Sequence, residues 1–178
     1  MTDKELIQGC IRENREAQQF LFQKYAGKML VVCMRYARHH AEAEDILQDG
    51  FIKVFDNISR FRMEGSFEGW IRRIMVNTAL KNYHKSSFKK EQIGIETYQE
   101  DSSEPEIYSQ LSEEELLKII NTLPDGYQIV FNLYVIEGYS HREIGELLNI
   151  QESTSRSQLV KARKLLQKKI LSIFKSAI

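Results

Sequence analysis

Residues 140–170 read SHREIGELLNIQESTSRSQLVKARKLLQKKI. Ser140 suits a helix N-cap, and Glu143 three residues on completes a capping box. Ile144, Leu147 and Leu148 then face inward, while Gly145 leaves room for a close neighbour. Asn149 tolerates the left-handed conformation that ends a short helix. Glu152 and Ser153 open a second helix whose seam is Leu159, Ala162, Leu166 and Ile170. Two helices joined by so short a turn form a helix-turn-helix. The second helix carries Arg156, Lys161, Arg163, Lys164, Lys168 and Lys169, and its start is small and polar: Ser153, Thr154, Ser155, Ser157. Small residues with nearby cations let a helix approach the major groove closely. An ordinary basic helix facing solvent would carry a similar pattern, but turn, caps and charge together favour DNA.

Before this motif, Ser112 and Glu115 form another capping box, and Leu116, Ile119, Ile120 and Leu123 follow as a stripe. Pro124-Asp125-Gly126 reads as a turn. An apolar helix is expected from about Tyr127 to Glu137, with Ile129, Val130, Leu133, Tyr134 and Ile136 on it, ending at Gly138.

Residues 60–83, RFRMEGSFEGWIRRIMVNTALKNY, have a different character. Phe61, Phe67, Trp70 and Tyr83 alternate with Arg60, Arg62, Arg72, Arg73 and Lys81. Aromatic rings that stack on bases, beside cations that hold phosphates, are what single-stranded nucleic acid requires. Ser66 can cap the helix over about Phe67 to Lys85, although Gly69 leaves the capping box incomplete. Trp70, Ile71, Ile74, Met75 and Thr78 are expected inside. Arg72, Arg73, Asn77, Lys81 and His84 form the other face. Asn77 stands out because an amide can make two hydrogen bonds to one base edge. A core helix with a solvated basic face would share this pattern.

Three helices precede this stretch. Thr2 or Asp3 caps the first, through about Asn14, with Leu6, Ile7, Cys10 and Ile11 as its stripe. The second is expected over Arg15 to Arg38, with Ala17, Phe20, Leu21, Tyr25, Met29, Val32, Cys33 and Tyr36 inside. His39-His40 ends it, favourable charge at a helix C-terminus. Adjacent histidines diverge by about 100° on a helix and do not converge on one metal ion. The third helix, about Ala41 to Ser59, buries Ile46, Leu47, Phe51, Val54, Phe55 and Ile58. Asp45, Gln48, Asp49 and Ile52 recur on another face, where only Asp49 has a base four residues on, Lys53. An apolar residue among uncompensated acids hints at a partner surface. Gly50 costs on the order of 1 kcal/mol relative to Ala in such a helix, with no local reason for it.

The chain of 178 residues has no alternating strand pattern of useful length, and an all-α fold of two helical domains is expected. No apolar run approaches the roughly 18 residues of a membrane span. The charged N-terminus does not read as a signal peptide. Cys10 and Cys33 fit buried free thiols and a cytoplasmic setting. Formal charge is zero, but unevenly spread. Residues 1–85 hold 14 Lys+Arg against 11 Asp+Glu (+3), residues 86–115 hold 2 against 9 (−7), and residues 116–178 hold 9 against 5 (+4). Two basic ends flank an acidic middle that is rich in Ser, Glu and Gln and contains Pro105. The divisions are a helical domain over 1–86, a linker over 87–111 and a helix-turn-helix domain over 112–178.

Three motifs stand in this order: AEDILQDGFIKVF, FRMEGSFEGWIRRIMVNTALKNY and LPDGYQIVFNLYVIEGYSHREIGELLNIQESTSRSQLVKARKLL. Together they resemble the bacterial sigma factors of the extracytoplasmic-function subgroup of the sigma-70 family. Residues 15–85 resemble the family's second region and 112–170 its fourth. The resemblance implies that Asp45, Gln48, Asp49 and Ile52 dock on core RNA polymerase. It implies that Arg62, Ser66, Phe67, Arg73, Asn77 and Lys81 hold the melted −10 promoter strand. It implies that Thr154, Arg156, Ser157, Lys161 and Lys164 read the −35 duplex. An anti-sigma factor, usually membrane-tethered, is the further implied partner. No catalysis, cofactor, metal, small-molecule substrate or membrane insertion of this chain is implied. The sequence departs from the family pattern at Gln158, usually Arg, at Ser155, commonly apolar, at Asp49-Gly50 and at Asn149, often Gly. Gln158 and Ser155 bear on −35 preference.

A DNA-binding regulator acting without polymerase would need only residues 112–178, leaving the aromatic-basic stretch and the Asp45 face idle. An enzyme would need a motif that is missing: there is no phosphate loop, HExxH or nucleophile elbow.

Overall fold

The computed structural model describes residues 2–87 and 112–176. They fall into two compact units, and every regular element among them is helical. The expected linker lies outside the described residues from residue 88 on; Ser87 itself closes a helix.

The first unit holds α1 (Asp3–Ile11), α2 (Arg15–Met34), α3 (His40–Asn57) and α4 (Phe67–Ser87), with a 3-10 turn at Ile58–Arg60. Thr2 caps α1, its backbone N–H donating to Glu5 Oε2 at 2.7 Å in a complete capping box. α1 ends before Asn14, because Glu13 turns left-handed (φ 59°) and Asn14 caps α2, accepting from Ala17 N–H at 2.9 Å. Asp3 fastens α1 to α2, accepting from Lys24 Nζ at 2.7 Å and from the Tyr25 hydroxyl at 2.9 Å.

α2 packs against α1, α3 and α4, so it is the central helix of the unit. Its buried residues run Ala17, Leu21, Tyr25, Met29, Val32, Cys33. Phe20 stands one position off this line and is exposed rather than inside. α2 stops at Met34, short of Arg38, and His39 belongs to the next helix. His39 Nδ1 accepts from Glu42 N–H at 3.1 Å, so the residue is an N-cap rather than a C-terminal charge. Gly50 also gains its reason. It lies flush against Met75 of α4, where an added methyl would overlap the thioether sulfur.

The second unit holds α5 (Glu113–Ile120), α6 (Asp125–Phe131), α7 (His141–Leu148) and α8 (Glu152–Ser176). Ser112 and Glu115 form the expected capping box. Leu116 is exposed, and the core forms instead from Ile119, Ile120 and Leu123 against Ala162, Leu166 and Ile170 of α8. Pro124-Asp125-Gly126 is no free turn: Pro124 caps α6, and Asp125 and Gly126 form its first turn. After Phe131 the helix widens into a π turn, Asn132–Ile136, which leaves Tyr134 and Val135 exposed. The other capping box, Ser140 with Glu143, opens α7, and Asn149 closes it in the left-handed region (φ 54°, ψ 45°). Gly145 permits the tight turn into α8, since a Cβ there would stand 2.8 Å from the Ile150 carbonyl oxygen.

Candidate nucleic-acid interface

On α3, Asp45, Gln48, Asp49 and Ile52 are all exposed on one face, Ile52 at 58%. Lys53 does not serve Asp49. It reaches across to α4, where Nζ donates to Thr78 Oγ1 at 2.9 Å. Thr78 in turn donates to the Ile74 carbonyl at 2.8 Å, which satisfies its buried hydroxyl. Asp45 and Asp49 are thus left without an ion-pair partner among the described residues.

The loop before α4 bends at two left-handed residues, Met63 (φ 59°) and Gly65 (φ 78°). Ser66 ends it as a cap, accepting from Gly69 N–H at 3.2 Å. Arg73, Asn77 and Lys81 follow at intervals of four and are exposed. Such spacing sets them in one row, about 6 Å apart along the helix. Arg62 is exposed on the loop.

Phe67 departs from its expected role, because it is buried. Its ring meets Tyr25 edge-on at 5.8 Å and stacks with Trp70 at 5.7 Å, the planes 14° apart. Phe61 packs against both Phe67 and Trp70. The aromatics of this stretch are therefore largely a cluster that shapes the loop. Phe61 and Trp70 remain half-exposed beside the polar row. Trp70 was expected inside, yet so large a ring is seldom fully covered.

On α8, Ser155, Leu159, Ala162 and Leu166 line the buried side. The opposite side carries Ser153, Ser157 and Lys161, with Lys164 half-exposed among them. Thr154 is half-buried on one flank. Arg156 is exposed on the other and forms an ion pair with Glu152. Ser157 donates its hydroxyl to the Thr154 carbonyl at 3.0 Å. Both −35 departures turn inward. Ser155 is fully buried against α7, and Gln158 lies over Gly126 at the start of α6. Neither belongs to the outward row. One residue the sequence reading missed does belong to it: Val160, 48% exposed between Ser157 and Lys161. Its signal was an apolar residue out of phase with the 159-162-166 seam.

Next to this helix, burial and the Arg156 guanidinium hold the His141 imidazole below its ordinary pKa, Glu152 opposes them, and Arg163 adds to the depression.

The models of Sigma-70 region 2 and of Sigma-70, region 4 match residues 21–88 and 113–166, one on each unit. This chain belongs to the sigma-70 family. It is 28% identical to the ECF RNA polymerase sigma-E factor of Haemophilus influenzae, over 96% of this chain and 96% of that protein. Its fold resembles the sigma factor RpoE solved in complex with the anti-sigma factor NepR from Bartonella quintana. The TM-score is 0.52 at 20% identity, covering 84% of this chain and 94% of that one. CnrH, solved in complex with the cytosolic domain of CnrY, gives a TM-score of 0.51 at 16% identity over 96% and 97% of the two chains. Within this sigma-70 chain, the region 2 match contains the α3 face and the α4 row, and the region 4 match contains all five α8 candidates. Among the described residues no helix is long and apolar enough to cross a membrane.

Proposed function

We infer that this chain is a sigma factor: it binds core RNA polymerase and directs promoter-specific initiation through the −35 duplex and the melted −10 strand. The observation that carries this reading is the pairing of the two region matches with two outward rows, Arg73, Asn77 and Lys81 on α4 and Ser157, Lys161 and Lys164 on α8. Residues 1–86 form the domain for polymerase and the −10 strand, 112–178 the domain for the −35 duplex, and 87–111 join them.

In this reading the polymerase docks on Asp45, Gln48, Asp49 and Ile52, an apolar side chain ringed by polar and acidic groups. Arg62, Arg73 and Lys81 hold phosphates of the opened strand, and Asn77 meets a base edge. Ser66 and buried Phe67 act by fixing the loop that carries Arg62. On α8, Arg156 and Ser157 meet base edges, Lys161 and Lys164 hold phosphates, and Thr154 stands at the start of the groove contact. Val160 is placed to meet a thymine methyl. An anti-sigma protein is the expected regulator, as the similar sigma factor RpoE was solved in complex with the anti-sigma factor NepR. The chain works in the cytoplasm and supplies no catalytic group.

Transcription from a genomic promoter library, using purified core polymerase with and without this protein, tests the reading. New start sites seen only with the protein are expected, and their alignment yields both promoter elements. No new transcripts, together with no complex with core on sizing, would overturn it and leave a helix-turn-helix binder.

A further inference from the structure

Ser155 lies in the first turn of α8 and is fully buried. A buried hydroxyl is costly unless bonded, and this one is held by His141, the first residue of α7. The imidazole Nδ1 lies 2.9 Å from Ser155 Oγ. The same ring stacks on Tyr134 of the π turn, with centroids 4.3 Å apart and planes 18° apart. One side chain therefore ties together the π turn, α7 and the start of α8. The adjoining turn is already fixed by the close approach of Gly145 to Ile150. Arg156 and Ser157 follow Ser155 directly, on the exposed side of the same helical turn.

We propose that His141 is a positioning residue for DNA reading: with Ser155 and Tyr134 it clasps the first turn of α8 and so sets how Arg156 and Ser157 meet a duplex. The proposal rests on the −35-reading role of α8. The charges facing the ring from α8 are Arg156, Glu152 and Arg163. Arg142 and Glu143 are charged neighbours on α7 itself, and Tyr134 covers the ring from the π turn. A hydroxyl both donates and accepts, so the bond outlasts protonation of the ring. The imidazolium, however, places a cation near Arg156 and at the positive end of α7. The neutral ring is the form that leaves Arg156 in its reading position.

The test uses the full chain and a pool of random-sequence duplexes. The bound motif is sequenced, and affinity for it is compared with affinity for a scrambled duplex. His141→Phe keeps the stack without the bond, and Ser155→Ala removes the other partner. Each is expected to lower discrimination by about threefold to tenfold, the worth of one hydrogen bond, and the double variant no further. His141→Asn places an amide atom where Nδ1 stands and is expected to restore most of the loss. Wild-type discrimination is expected to hold at the ordinary histidine value of about 6.5 and to fall only as pH drops through the lowered value of the folded ring, and that of His141→Asn to stay level. Unchanged discrimination in the folded Phe and Ala variants overturns the proposal. So does a loss that merely follows the unfolded fraction measured in parallel by circular dichroism. A wild-type chain that enriches no motif overturns the DNA-reading role of α8 itself, and is distinct because no motif is then in hand.

Discussion

The α4 row and the α8 row both offer cations and uncharged polar side chains on the outside of a long helix, yet they are supported in different ways. α4 rests on a tertiary core: Met75 against Gly50, Phe67 against Tyr25, and Thr78 beneath Lys53. α8 also rests on a core, its Ala162, Leu166 and Ile170 against Ile119, Ile120 and Leu123, but its first turn is oriented by devices in the segment just before it: the Ser140 box, the Asn149 turn, Gly145 and the His141 clasp. A surface built on a core is lost when the core is loosened. A surface set by caps and turns can be re-aimed while the unit stays folded.

The largest expected effect breaks the first support. Leu21→Ala empties a fully buried site in α2 and is expected to cost about 2–5 kcal/mol. The single tryptophan, Trp70, lies in the first unit, so its fluorescence should report an earlier urea transition while the second unit melts unchanged. A common shift of both transitions would break the contrast. Next come the two glycines. Gly145→Ala drives a methyl onto backbone and should destabilise the second unit by about 1–3 kcal/mol. Gly50→Ala meets a side chain rather than backbone, the fully buried thioether of Met75, and a helix propensity gain of about 1 kcal/mol offsets part of the strain. Denaturant midpoints near wild type for Gly50→Ala alone would sharpen the comparison.

Removal of the reading groups should separate the two rows in function. Arg156→Ala is expected to cost about 1–3 kcal/mol on the −35 duplex with relaxed preference at one base. Asn77→Ala should weaken capture of a −10 single strand while leaving the affinity for core polymerase intact. Fluorescence anisotropy on the two DNAs, with core binding measured alongside, checks both; equal losses in every assay would count against separate roles.

The smallest effect is that of pH. His141 is held below its ordinary value in the folded state, so the unfolded chain binds that proton more readily. The second unit should therefore keep this stability above about pH 6.5 and lose it as pH falls through the lowered folded value. Asp3 is lowered by its bond to Lys24, and Glu5 and Glu115 by their bonds to the capped backbone. Their contributions hold above the ordinary carboxylate range and fade only below it, so both units soften in stronger acid. Thermal melts at stepped pH should show the second unit responding first.

The same contrast explains what was legible beforehand. Capping boxes and a left-handed Asn are written within four residues, so Ser112, Ser140 and Asn149 could be placed from sequence alone. The α3 face, the α4 row and the α8 seam followed from periodicity. What escaped depended on partners distant in sequence. Gly50 has its reason in Met75, Phe67 its burial in Tyr25, and Lys53 chose Thr78 over Asp49. Ser155 reads as one of the small polar groove residues and Gln158 as a departure that bears on −35 preference, but α7 and α6 claim them. His39 was misread because a histidine nitrogen can accept as well as carry charge.

The Glu152–Arg156 ion pair gives the free chain an internal counterion. Before DNA arrives, the arginine proposed to read a base is already matched by a carboxylate one turn away. A stray phosphate must compete with that carboxylate, so chance encounters along the genome gain little from Arg156. A guanine edge offers two acceptors at once and can replace it fully. Loosening the pair with Glu152→Gln should therefore tighten binding to arbitrary duplex more than to the chosen one, and steepen its dependence on salt by roughly one released ion.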